Sequence, residues 1–162
     1  MKDDRLQYCE ARNKAIAHIG IAVSSSGKIR NYLLDQGFDR DIVEEVIDQL
    51  KEDKYVDDVR YAKKILRARS GPKAEGTSKL AMRLENEGVS PEVISEVLDS
   101  DEFRDENTIQ EVIESRFPIS SFSSDRKESQ RELAKAIRYL ESRGYPTSLV
   151  LSAFRKLLDD VQ

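Results

Sequence analysis

Three glycines constrain this chain most. Each closes a helix-like apolar pattern and is followed by an apolar residue: Leu33 to Gly37-Phe38, Leu84 to Gly88-Val89, and Leu140 to Gly144-Tyr145. A glycine one residue past a helix C-cap adopts the left-handed conformation that a Cβ penalises, and the next residue packs back on the residue three from the helix end. That rule predicts the pairs Phe38 with Leu33, Val89 with Leu84 and Tyr145 with Leu140. Downstream the copies stay in register: Ile42, Val43, Val46 and Ile47 correspond to Val93, Ile94, Val97 and Leu98, and to Leu149, Val150, Ala153 and Phe154. The unit is a helical hairpin used three times.

Apolar residues recur at three and four, and no stretch alternates with period two, so the chain reads as all-α. The predicted helices lie near 6–19, 28–36 and 40–52 in the first unit. In the second they run from a cap at Asp57 or Asp58 to Arg69, from 78 to 87, and from Pro91 at the first helical position, capped by Ser90, to about Leu98. In the third they lie near 106–116, 127–143 and 148–158. The glycines are fifty-one and fifty-six residues apart, which leaves room for three helices per unit. The expected architecture is an elongated, curved array of three tandem three-helix repeats, 1–54, 55–100 and 101–162, stabilised by packing between neighbours. Pro118 to Asp125 reads as a Ser-rich loop from which Ile119 and Phe122 dock on the core.

The residues leave little room for catalysis. His18 is the only histidine and Cys9 the only cysteine, so neither a zinc set nor a disulfide can be assembled. His18 reads as a surface or packing residue. Cys9, at helical spacing from Leu6, Asn13 and Ile16, reads as a buried structural thiol rather than a nucleophile. No phosphate-binding glycine loop or serine elbow occurs, and no cofactor is expected. No apolar run reaches the length of a membrane span, and the N-terminus has no signal-peptide core, which places the chain in the cytoplasm.

Charge is abundant, at 36% of residues with a net of −4, and unevenly distributed. From Arg60 to Arg83 the cations Arg60, Lys63, Lys64, Arg67, Arg69, Lys73, Lys79 and Arg83 face a single acid, Glu75, between acidic flanks. Arg60, Lys63, Lys64 and Arg67 fall at i, i+3, i+4 and i+7, one stripe of a helix whose other side carries Tyr61, Ala62, Ile65 and Leu66. Two readings stand: a solvated face whose later cations complement the helix dipole, or a surface for phosphates or an acidic partner.

With these residues in view, the chain resembles the RecX family of bacterial regulators of the RecA recombinase. Ser25 to Phe38 is similar to that family's first-unit helix. Val56 to Arg69, an Asp-Asp followed by Arg, an aromatic, Ala and a basic helix, resembles its most characteristic stretch. Gly76 to Val89 and Arg138 through Tyr145 match the second and third units in register. The resemblance implies a non-enzymatic protein, expected as a monomer, that binds RecA and the RecA–DNA filament. It would lodge along the filament groove, restrain ATP hydrolysis, strand exchange and co-protease activity in DNA repair and the SOS response, and bind single- or double-stranded DNA weakly by itself. The eight cations from Arg60 to Arg83 are the candidate partner surface, and Tyr61 and Tyr139 are expected to pack inward. Two other functions fit the residues: a helix-turn-helix DNA-binding regulator of transcription, and a non-catalytic adaptor that binds proteins through its acidic zones.

Overall fold

The structure, a computed structural model, describes residues 2–20 and 23–159. Among them are nine α-helices and no strands. They are α1 (Lys2–Ile19), α2 (Ser26–Asp35), α3 (Arg40–Glu52), α4 (Asp58–Arg67), α5 (Thr77–Asn86), α6 (Pro91–Leu98), α7 (Asp105–Arg116), α8 (Arg126–Ser142) and α9 (Thr147–Asp159). The all-helical expectation is met, and the order is consistent with three helices per repeat.

All three glycine turns form as the sequence requires. Gly37, Gly88 and Gly144 have φ of 90°, 80° and 91°. At each, the N–H of the following residue reaches back to the predicted partner's carbonyl: Phe38 to Leu33 at 3.3 Å, Val89 to Leu84 at 3.0 Å and Tyr145 to Leu140 at 3.2 Å. These are the long hydrogen bonds of the Schellman ending, and they satisfy carbonyls that a helix end leaves orphaned.

The chain divides into two compact units, 1–64 with 84–94, and 65–83 with 95–162. In the first, Ala11 and Ala15 of α1, Ile29 and Leu33 of α2, and Val43, Val46, Ile47 and Leu50 of α3 form a core closed by Val56. In the second, Ile109, Val112 and Ile113 of α7 pack with Ala136 and Leu140 of α8 and Val150 and Phe154 of α9. Phe122 meets the Phe154 ring edge-on at 6.4 Å, so the Ser-rich loop docks as expected, with a short 3-10 turn at Ile119–Ser121. The division into repeats 1–54, 55–100 and 101–162 is our proposal for the repeating unit; compactness groups the chain differently.

One expectation is corrected. Cys9 is exposed. The buried face of α1 is marked by two alanines, Ala11 and Ala15, and Cys9 lies roughly 200° around the helix from Ala11, on the solvent side with Leu6.

Candidate partner-binding surface

The two aspartates that open the basic helix do different work. The Asp57 carboxylate accepts from the Arg60 backbone N–H at 3.1 Å and so caps α4 itself. Asp58 turns to another helix: its carboxylate accepts from the backbone N–H of Ser26 at 2.8 Å and from the Ser26 hydroxyl, at the start of α2. A turn later Tyr61, buried as expected, donates from its hydroxyl to Glu87 at 2.8 Å, and Lys28 also pairs with that carboxylate. The Lys28 and Tyr61 bonds hold the Glu87 carboxyl below the usual carboxylate range, while burial pushes the Tyr61 hydroxyl up. With Tyr61, Ala62 and Leu66 buried, the orientation of α4 is fixed, and Arg60, Lys63, Lys64 and Arg67 are left exposed in one row. None of these four cations makes an ion pair among the described residues.

The later cations are placed otherwise. Glu75 is fully buried and receives Arg83 through Nε at 2.5 Å and Nη2 at 2.8 Å, with Arg143 Nη1 at 3.5 Å and Lys79 Nζ at 3.8 Å. Burial pushes the Glu75 carboxyl up, and the Arg83 bonds with the charges of Arg83, Arg143 and Lys79 more than offset it, leaving the group below its ordinary value. Lys79 also donates to the Ser142 carbonyl at 3.0 Å. Thus Lys79 and Arg83 surround a buried carboxylate, Arg69 is half-buried, and Lys73 is exposed. Tyr139 is half-buried, with the Arg116 guanidinium over its ring at 4.9 Å.

Sequence reasoning missed the acids that organise these helices. In the second unit, Asp105 at the start of α7 accepts from the Thr77 N–H at 2.7 Å and the Thr77 hydroxyl at 3.1 Å, repeating the role of Asp58 on Ser26. The glycine turns complete both junctions. The Ser25 hydroxyl donates to the Glu87 carbonyl beside Gly88, and the Gly76 N–H donates to the Arg143 carbonyl beside Gly144 at 2.8 Å. A Cβ on Gly27 would lie 2.2 Å from the Gly88 oxygen, and one on Gly76 would lie 2.2 Å from the Gly144 oxygen. Small and hydroxyl residues recurring at the starts of α2 and α5, each matched by an Asp opening a later helix, were the available signal.

Among the described residues, no group of three or more His, Cys, Asp or Glu side chains could hold a metal, and no helix is long and apolar enough to cross a membrane. His18 stacks on Tyr32 at 4.1 Å between ring centres. What α4 offers is electrostatic: four unneutralised cations on a fixed helix face, suited to a polyanion or an acidic surface.

No family model matches the chain. Among curated proteins it is similar to regulatory protein RecX of Clostridium tetani, 28% identical over 152 residues that cover 93% of this chain and 68% of that protein. RecX of Prosthecochloris aestuarii is 26% identical over 149 residues, covering 92% and 94%. RecX of a Streptococcus pneumoniae serotype 19F strain is 32% identical over 100 residues, and this match spans 62% of the chain and only 39% of the streptococcal protein. Two solved structures share the fold: RecX from Lactobacillus salivarius, with a TM-score of 0.71 at 17% identity over 97% of this chain and 98% of that one, and a second regulatory protein RecX, with a TM-score of 0.68 at 16% identity over 97% and 74%. The resemblance to the RecX family is thereby borne out in sequence and in fold.

Proposed function

We propose that the chain is a regulator of the RecA recombinase that binds the RecA nucleoprotein filament and restrains ATP hydrolysis, strand exchange and co-protease activity. The observation that carries this reading beyond resemblance is the row Arg60, Lys63, Lys64 and Arg67, exposed and without ion pairs among the described residues, on a helix fixed by Asp58 and Tyr61. A filament that carries phosphates and acidic side chains supplies the missing charges. The chain acts in the cytoplasm as a binding protein and hydrolyses nothing itself; naked DNA competes weakly for the same row. Arg69 and Lys73 follow the row in sequence, whereas Lys79 and Arg83 are engaged with the buried Glu75.

The test is hydrolysis of ATP by RecA on single-stranded DNA with this protein titrated in. Inhibition well below stoichiometric excess is expected. Unchanged hydrolysis at equimolar protein, with the chain folded, refutes the reading.

A further inference from the structure

Two exposed helix faces carry charges that make no ion pair among the described residues. On α3, the exposed residues Asp41, Glu45, Asp48 and Glu52 fall at i, i+4, i+7 and i+11. At 3.6 residues per turn they occupy a stripe about 60° wide and about 16 Å long, opposite the buried Val43, Val46 and Leu50. None of the four makes an ion pair among the described residues, while the remaining acid of the helix, Glu44, is bonded to Arg30 at 2.6 Å. On α4, the cations Arg60, Lys63, Lys64 and Arg67 form a row about 10 Å long, likewise exposed and without an ion pair among the described residues.

We infer that these two faces recognise each other between copies of this chain: the α3 carboxylate row of one molecule docks on the α4 cation row of a second. The charges are opposite in sign and equal in number, and neither row makes an ion pair among the described residues. Two molecules related by a two-fold axis make the contact twice, because α3 of each then meets α4 of the other. Exposed ion pairs are individually weak and are screened once their separation exceeds the Debye length, so the dimer forms at low ionic strength and dissolves to monomer in high salt. The same cations face the proposed filament, so self-association masks the free protein until a polyanion displaces the partner copy. The self-association test uses the protein alone, and its outcome stands apart from that of the RecA reading.

Sedimentation velocity over a concentration series is run at an ionic strength of about 0.01 M, where the screening length is about 30 Å, and again at about 1 M, where it is about 3 Å. The parent chain is expected to shift from monomer to dimer with concentration at low salt only. The variants Glu45→Lys/Asp48→Lys and Lys63→Glu/Lys64→Glu should each remain monomeric alone and associate with one another when mixed, since every contact is again between opposite charges. Arg131→Glu/Lys135→Glu, reversing two exposed cations of α8, is the control for net charge and should associate as the parent does. A parent that is monomeric at low salt, reversals that leave association intact, a mixture that stays monomeric, or a control that abolishes association would each overturn the inference. Helical circular dichroism of every variant guards against a misfolded negative.

Discussion

Alanine at the three homologous glycines separates two costs that the fold superimposes. A Cβ at positive φ costs roughly 1–2 kcal/mol whatever surrounds it. At Gly37 nothing lies within 4 Å of the position the new carbon would take, so Gly37→Ala should lose that amount and no more. At Gly88 the carbon would sit 2.8 Å from the Ser25 hydroxyl and 3.0 Å from the Lys28 backbone nitrogen; at Gly144 it would sit 2.7 Å from Lys79 Cβ and 3.1 Å from the Lys79 nitrogen. Backbone cannot move aside as a side-chain tip can, and overpacking adds about 1–3 kcal/mol, so Gly88→Ala and Gly144→Ala should lose about 2–5 kcal/mol. Gly27→Ala removes the φ term: it has no positive φ, yet its Cβ would lie 2.2 Å from the Gly88 oxygen, and it should lose about 1–3 kcal/mol through the clash alone. Urea unfolding followed by circular dichroism, with midpoints and slopes compared among the variants, reads these differences. Equal losses at Gly37, Gly88 and Gly144, or the largest loss at Gly37, would refute the account of the junctions.

Three further outcomes follow from the junctions. Glu75→Gln leaves Arg83, Lys79 and Arg143 around a neutral amide and should cost about 2–3 kcal/mol, less than a fully dry ion pair because the cations are partly exposed. Its pH signature has a definite sign: the folded pKa of Glu75 lies below the ordinary value, so its contribution is present above that value and is lost as pH falls through the lower folded one. The parent should therefore lose stability more steeply than Glu75→Gln between about pH 5 and pH 3, as thermal melts at each pH would show. Asp58→Ala and Asp105→Ala each remove the carboxylate cap of another helix and should cost about 0.5–2 kcal/mol; a loss at one junction without any at the other in denaturant melts would break their equivalence.

The glycine turns were legible because a Schellman ending is written in consecutive residues: the apolar residue, the glycine and the apolar residue after it lie within one helix end. Helix limits were legible for the same reason. α3 and α6 begin and end where Arg40, Glu52, Pro91 and Leu98 stand, α1 begins four residues before its expected start, at Lys2, and the other ends shift by no more than two residues, as where Ser26, Thr77 and Thr147 enter the helix early. Tertiary partners were not legible. That Asp58 serves Ser26 and Asp105 serves Thr77 depends on which helix start lies beside which, information held by the packing of distant segments. Glu75 interrupts a basic run as a lone acid, and its burial under Arg83, Lys79 and Arg143 explains the exception. Cys9 was misplaced because a row of larger residues at helical spacing outweighed two alanines, although small residues allow the closest helix approach.

The central claim is that the α4 row meets a polyanionic filament, and reversing Lys64 and Arg67 to Glu tests it most directly. Both are exposed and make no ion pair among the described residues, so the double variant should keep its helix content and lose no more than about 1 kcal/mol of stability. RecA-dependent ATP hydrolysis on single-stranded DNA is then measured against parent and variant across a salt series. Each cation near a phosphate contributes to the slope of log affinity against log salt, so the variant should inhibit more weakly and with a flatter salt dependence. A folded variant that inhibits as well as the parent at every salt concentration would contradict the claim and return α4 to the status of a solvated face.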